Sequence, residues 1–101
     1  MTLMTRQAIA TRVETTGAVA EANLDVGLYP STKLEGVVGS SVAATFEVFG
    51  SIDGEVYRKT LELAVGAGEE KAFFLDNAYR YVKISTADVG DNLIEIAGGQ
   101  G

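Results

Sequence analysis

The run Ala44-Thr45-Phe46-Glu47-Val48-Phe49-Gly50-Ser51-Ile52-Asp53-Gly54-Glu55-Val56-Tyr57-Arg58-Lys59-Thr60-Leu61 decides the fold class. Thr45 to Phe49 alternates polar and apolar residues, the period of a strand with one buried face. Asp53-Gly54 supplies the positive backbone angles of a tight hairpin turn, so the spacing predicts two paired strands meeting there. A third strand follows in Phe73-Phe74-Leu75-Asp76-Asn77-Ala78-Tyr79-Arg80-Tyr81-Val82-Lys83-Ile84.

Working outward, the same alternation recurs. Ala20 to Leu28 sets Ala20, Ala22, Leu24, Val26 and Leu28 against Glu21, Asn23 and Asp25, which is a one-sided buried strand. Ala8 to Glu14 forms a strand with Ile9, Thr11 and Val13 on one face, and Thr15-Thr16-Gly17 turns it. Tyr29-Pro30-Ser31-Thr32 closes the second strand, because proline cannot continue a central ladder. Lys33 to Val38 is a short strand. Val42 to Phe49 places Val42, Ala44, Phe46 and Val48 inward, and Val56 to Leu63 returns with Tyr57, Leu61 and Leu63 inward. Lys71 to Leu75 and Tyr79 to Ser85 form a further pair around Asp76-Asn77. Asn92 to Ala97 is the last strand, with Ile94 and Ile96 inward.

The total is roughly eight short strands, broken by twelve glycines at turn spacing, as in an all-β jelly roll. The expected fold is a two-layer antiparallel β-sandwich with its core at Phe46, Val48, Tyr57, Leu61, Val82, Ile84 and Ile96. The organisation is a flexible N-terminal arm (1–7), one sandwich domain (8–97) and a flexible tail (98–101). The strand order is not legible from the sequence.

Composition narrows the function. At 101 residues the chain buries a core without disulfides or metals. Cys and His are both absent, which removes the common nucleophile–base pairs and the common transition-metal ligands. No enzyme, cofactor or required metal is expected. With 14 acidic against 8 basic residues and a net charge of −6, the surface repels phosphate backbones, which disfavours nucleic acid. The first residues lack the charged start and apolar run of a signal peptide, and no apolar stretch reaches the length of a membrane span.

Several positions invite a sharper reading. Asp53 and Glu55 flank a glycine, but they offer too few oxygens for a calcium turn. Asp88-Val89-Gly90-Asp91-Asn92 gathers three side-chain oxygen donors in five residues, but a simple turn of Asp, Asn and Gly is the favoured reading. Tyr79 and Tyr81, two apart on a strand, share a face and suit either a core or interface contact or a sugar platform. Phe49 and Phe74 fall opposite the better apolar faces of their strands, which suggests a binding surface or a bulge. Glu69-Glu70 reads as solvated surface. Arg58 and Arg80 are placed to reach carboxylates. Phe49, Phe74, Tyr79 and Arg80 are therefore the candidate interface residues.

The segment Phe46-x-Val48-x-Gly50-Ser51-x-Asp53-Gly54-x-x-Tyr57, with Tyr79-Arg80-Tyr81-Val82-Lys83-Ile84 and Ile94-Glu95-Ile96, resembles the second half of a discoidin-like, galactose-binding-like jelly roll. Related small jelly rolls occur in bacteriophage virion proteins. The chain is shorter than a discoidin domain and lacks its tryptophan after the Asp-Gly turn and its bracketing cysteines. The family's ligand-binding spikes lie in the part without a counterpart here, so sugar and lipid binding are not implied. What the resemblance implies is a non-enzymatic virion protein, synthesised in the host cytoplasm. Such a protein is a capsid decoration (cement) protein or minor component that forms a homo-oligomer, such as a trimer, and contacts a capsid or other virion protein. A carbohydrate-binding module is the alternative.

Overall fold

A computed structural model describes residues 8–26, 32–77 and 79–99. The chain forms eight strands: β1 (Ala8–Glu14), β2 (Ala18–Asp25), β3 (Thr32–Ser40), β4 (Ala44–Ser51), β5 (Arg58–Val65), β6 (Glu69–Asn77), β7 (Tyr81–Gly90) and β8 (Asn92–Gly99). There is no helix among the described residues. Two four-stranded antiparallel sheets result, one in the order β1-β8-β3-β6 and the other β2-β7-β4-β5. Of the consecutive strands, β4 and β5 alone pair with each other; every other link carries the chain from one sheet to the other. This is the jelly-roll plan of two interlocked Greek keys, and the all-β sandwich expectation is met.

The alternation read from the sequence is what seals the core. β2 follows a strict out–in pattern that buries Ala20, Ala22 and Leu24, with Val26 buried just beyond it. Across the sandwich, Leu34, Val38, Phe73, Ile94 and Ile96 from one sheet meet Phe46, Val48, Leu63, Val65, Val82 and Ile84 from the other. A one-residue slip in any of these strands would turn its apolar set to water, which is what holds the register. Phe73 lies opposite Gly36 in the β3–β6 ladder. Its ring fills the space where a Cβ on Gly36 would stand, 2.7 Å away, so a small residue there makes room for a large one.

Several local expectations need correction. The link at Asp53-Gly54 is not a two-residue hairpin but spans 52–57. Gly54 does take a positive φ of 82°. The Asp53 carboxylate, however, accepts hydrogen bonds from the amides of Glu55 (2.8 Å) and Val56 (3.0 Å) and from the Ser51 hydroxyl (3.1 Å). Those bonds organise a wider loop. Tyr57 consequently precedes β5 and is half-buried outside the core, and Leu61 packs at the core's margin. Val42 sits in the bend before β4, where it is 37% exposed.

β6 and β7 do not pair with each other. β6 joins β3, and β7 lies between β2 and β4 in the opposite sheet. The inward residues Phe73 and Val82 thus enter the core from opposite sheets. Gly98 and Gly99, expected in a tail, continue β8 and pair with Leu34 and Lys33. The arm 1–7, the Tyr29-Pro30 turn and Gln100–Gly101 lie outside the described residues.

Candidate interaction surface

The outward face of the β1-β8-β3-β6 sheet carries an unusual set of side chains. Residues opposite one another in an antiparallel ladder point to the same face. The registers therefore put Ala10, Ala97, Glu35 and Phe74 in one row, and Arg12, Glu95, Val37 and Ala72 in the next. Small side chains at Ala10, Ala72 and Ala97 form the floor of an open trough of about 500 Å³. Phe74 rises from the edge strand β6 as one wall, and it is 78% exposed. At the opposite side Arg12 is held by Glu14 and by Glu95, the latter at 3.6 Å. Glu35, beside Phe74, makes no ion pair among the described residues. An exposed aromatic over a floor of small side chains is of the kind enriched at contact surfaces.

The other interface candidates are engaged within the chain. Phe49 is half-buried on the outward face of the second sheet, directly opposite Lys83. The Lys83 ammonium lies between two rings, 5.0 Å from the centre of Phe49 and 4.6 Å from that of Tyr57. Such a pair of cation–π contacts explains both the outward Phe49 and the displaced Tyr57. Beside it Lys59 bridges Glu62 (2.9 Å) and Glu47 (3.2 Å). Hydrogen bonds to Glu62 and Glu47 push the Lys59 ammonium above its usual range.

Tyr79 precedes β7, and its ring covers Gly50, 2.3 Å from where a Cβ would be. Gly50 is the partner of the buried Val82, so Tyr79 closes the end of the core. Tyr81 instead lies over Gly54. The two tyrosines do not form one platform. Arg80 donates to both oxygens of Asp25, at 3.1 and 3.4 Å, and stacks 5.0 Å over Tyr81. The Asp25 hydrogen bond raises the guanidinium's pKa further.

At the opposite end of the sandwich, the Asp88–Asn92 corner ties three turns together. Asp88 accepts from the Thr45 amide (2.9 Å) and Asp91 from the Gly17 amide (3.0 Å). Asn92, buried, donates to the carbonyls of Ala18 (2.7 Å) and Asp88 (2.9 Å). These acids are committed to backbone donors in different directions. No group of three or more acids that could hold a metal occurs among the described residues.

Sequence reasoning found Phe74 but missed Glu35 and the alanine floor. The signal existed strand by strand, since Glu35 and Ala97 each flank inward residues. Only the register reveals that they share a row.

No protein-family profile matches the chain, and no curated protein matches it in sequence. Among solved structures, it is similar in fold to a chain from work titled "Bacillus endospore appendages form a novel family of disulfide-linked pili". That match has a TM-score of 0.58 at 10% identity and covers 94% of this chain and 83% of the other. The likeness supports a β-sandwich of this plan, with a pilus-like appendage protein as a structural neighbour.

Proposed function

We propose that this protein is a non-enzymatic structural component of a larger particle and works by binding other protein surfaces, including copies of itself. The observation that carries the reading is Phe74, 78% exposed on an ordered strand beside Glu35. Aromatic side chains are enriched at protein contact surfaces, and the alanines beside Phe74 extend its apolar surface into an open trough. The missing His and Cys remove the usual catalytic pairs and support a role without chemistry.

The similar appendage chain is a fold-level precedent, an analogy about architecture. With no cysteine, this chain would assemble through non-covalent contacts rather than disulfide links. In the finer form of the proposal, the particle is a virion and the protein decorates a capsid lattice or serves as a minor component, with a capsid or other virion protein as its second partner. Nucleic acid and membrane are not partners in this reading. The acidic surface favours an outward position. The discoidin-like resemblance contributes no ligand site to this reading.

Size-exclusion chromatography with light scattering, followed by electron microscopy, tests the proposal. A mass above the 10.6 kDa of one chain, with discrete oligomers or ordered arrays, is the expected result. A strict monomer that binds a sugar array saturably would replace it with the carbohydrate-module reading.

A further inference from the structure

The trough on the β1-β8-β3-β6 sheet specifies what it will accept. Its floor of Ala10, Ala72 and Ala97 leaves room for an extended peptide. Phe74 calls for a flexible apolar side chain, and Glu35 for a cation. Methionine fits an exposed ring well, because its thioether is unbranched and makes favourable sulfur–aromatic contacts. Arginine pairs with a carboxylate through two parallel hydrogen bonds.

The seven residues that precede β1 read Met1-Thr2-Leu3-Met4-Thr5-Arg6-Gln7. They offer two methionines, a leucine and one arginine, and no acid. We infer that residues 1–7 of one copy lie in the trough of a second copy, with Arg6 against Glu35 and the Met1, Leu3 and Met4 side chains toward Phe74 and the alanine floor. The inference rests on the assembly reading above and names the contact that would make it.

A second copy fits better than the chain's own trough. Ala8 pairs with Gly99 at the end of the sheet, so the β1 axis there points off the sandwich. Reaching back across β8 requires a sharp reversal, and residues 1–10 contain none of the Gly, Pro, Asn, Asp or Ser that favour one. Seven extended residues span about 23 Å, at about 3.3 Å each. The four strands of the trough are only about 14 Å across, at about 4.8 Å per step. The segment is long enough to cross a neighbour's sheet.

Sedimentation velocity of the full chain over a wide concentration range tests the pairing. Phe74→Ser, Glu35→Arg and Arg6→Glu should each weaken association by about tenfold or more, the scale of a lost contact of about 1.4 kcal/mol. Phe74 and Glu35 lie off the core set and Arg6 precedes β1 in the chain, so circular dichroism should show the sandwich unchanged. The chain carrying both Arg6→Glu and Glu35→Arg should recover most of the loss, because the charges are then exchanged. Association that ignores all three substitutions, or a double variant no better than the singles, overturns the trough assignment and leaves the assembly reading standing. A chain that stays monomeric at every concentration overturns both.

Discussion

Asn92 shows how much one side chain holds in this molecule. It is 2% exposed, and both amide hydrogens are used, on the carbonyls of Ala18 and Asp88. Its Oδ1 is buried and has no hydrogen-bond partner among the described residues. Asn92→Asp should therefore be severe, since a carboxylate would face two carbonyl oxygens in a dry site. A loss of about 3–5 kcal/mol in urea unfolding is expected, the range for an uncompensated buried charge. A loss below about 1 kcal/mol, the scale of a mild surface effect, would deny the amide its clasping role.

Asp53 provides the pH-dependent counterpart. Hydrogen bonds from the amides of Val56 and then Glu55, with the Ser51 hydroxyl, hold its carboxyl below the ordinary value of 3.8. A lowered folded pKa stabilises the native state fully above that value, and the contribution is lost as pH falls through the folded pKa. The melting temperature of Asp53→Ala should lie below the parent's at neutral pH, with the gap closing below about pH 3.8. A gap that is constant with pH would contradict this. The sequence marked both residues as turn formers. It did not disclose the clasp, because Ala18 lies 74 positions from Asn92 along the chain.

Among the elements, β4 was the most legible, and its burial follows the alternation seen at Thr45 to Phe49. Phe46 is fully buried, so Phe46→Ala should cost about 3–5 kcal/mol. The neighbouring misreading of Tyr57 has a physical cause. A bulge between Val48 and Phe49 changes the β4–β5 register, and the two flanking rings are drawn to Lys83. Such side-chain attractions leave no trace in a period-two pattern. Gly50 was equally opaque, since its smallness answers to Tyr79 and not to a turn. A Gly50→Ala change should displace that ring and cost about 1–3 kcal/mol, the range for overpacking. Tyr79→Ala in the same chain should make the glycine substitution nearly neutral. Independent, additive costs would show that the ring and the glycine are not coupled.

For the whole molecule, the number of strands and the two-sheet class could be read from alternation and glycine spacing. The strand order could not. Six of the seven links cross between the sheets, and nothing in a link's own residues says which ladder its next strand will join. The same limit hid the candidate site. Ala10, Ala97, Glu35 and Phe74 come from four strands, and only the order β1-β8-β3-β6 aligns them. On the proposed reading, this outward face, and not the opposite one with its internally paired Lys83 and Lys59, makes the protein's contacts. Hydroxyl-radical footprinting of the full chain, dilute against concentrated, measures this directly. Oxidation of Phe74 should fall strongly at high concentration while that of Tyr57 and Tyr81 stays level. Equal oxidation of Phe74 in both conditions, or protection confined to Tyr57 and Tyr81, would contradict it.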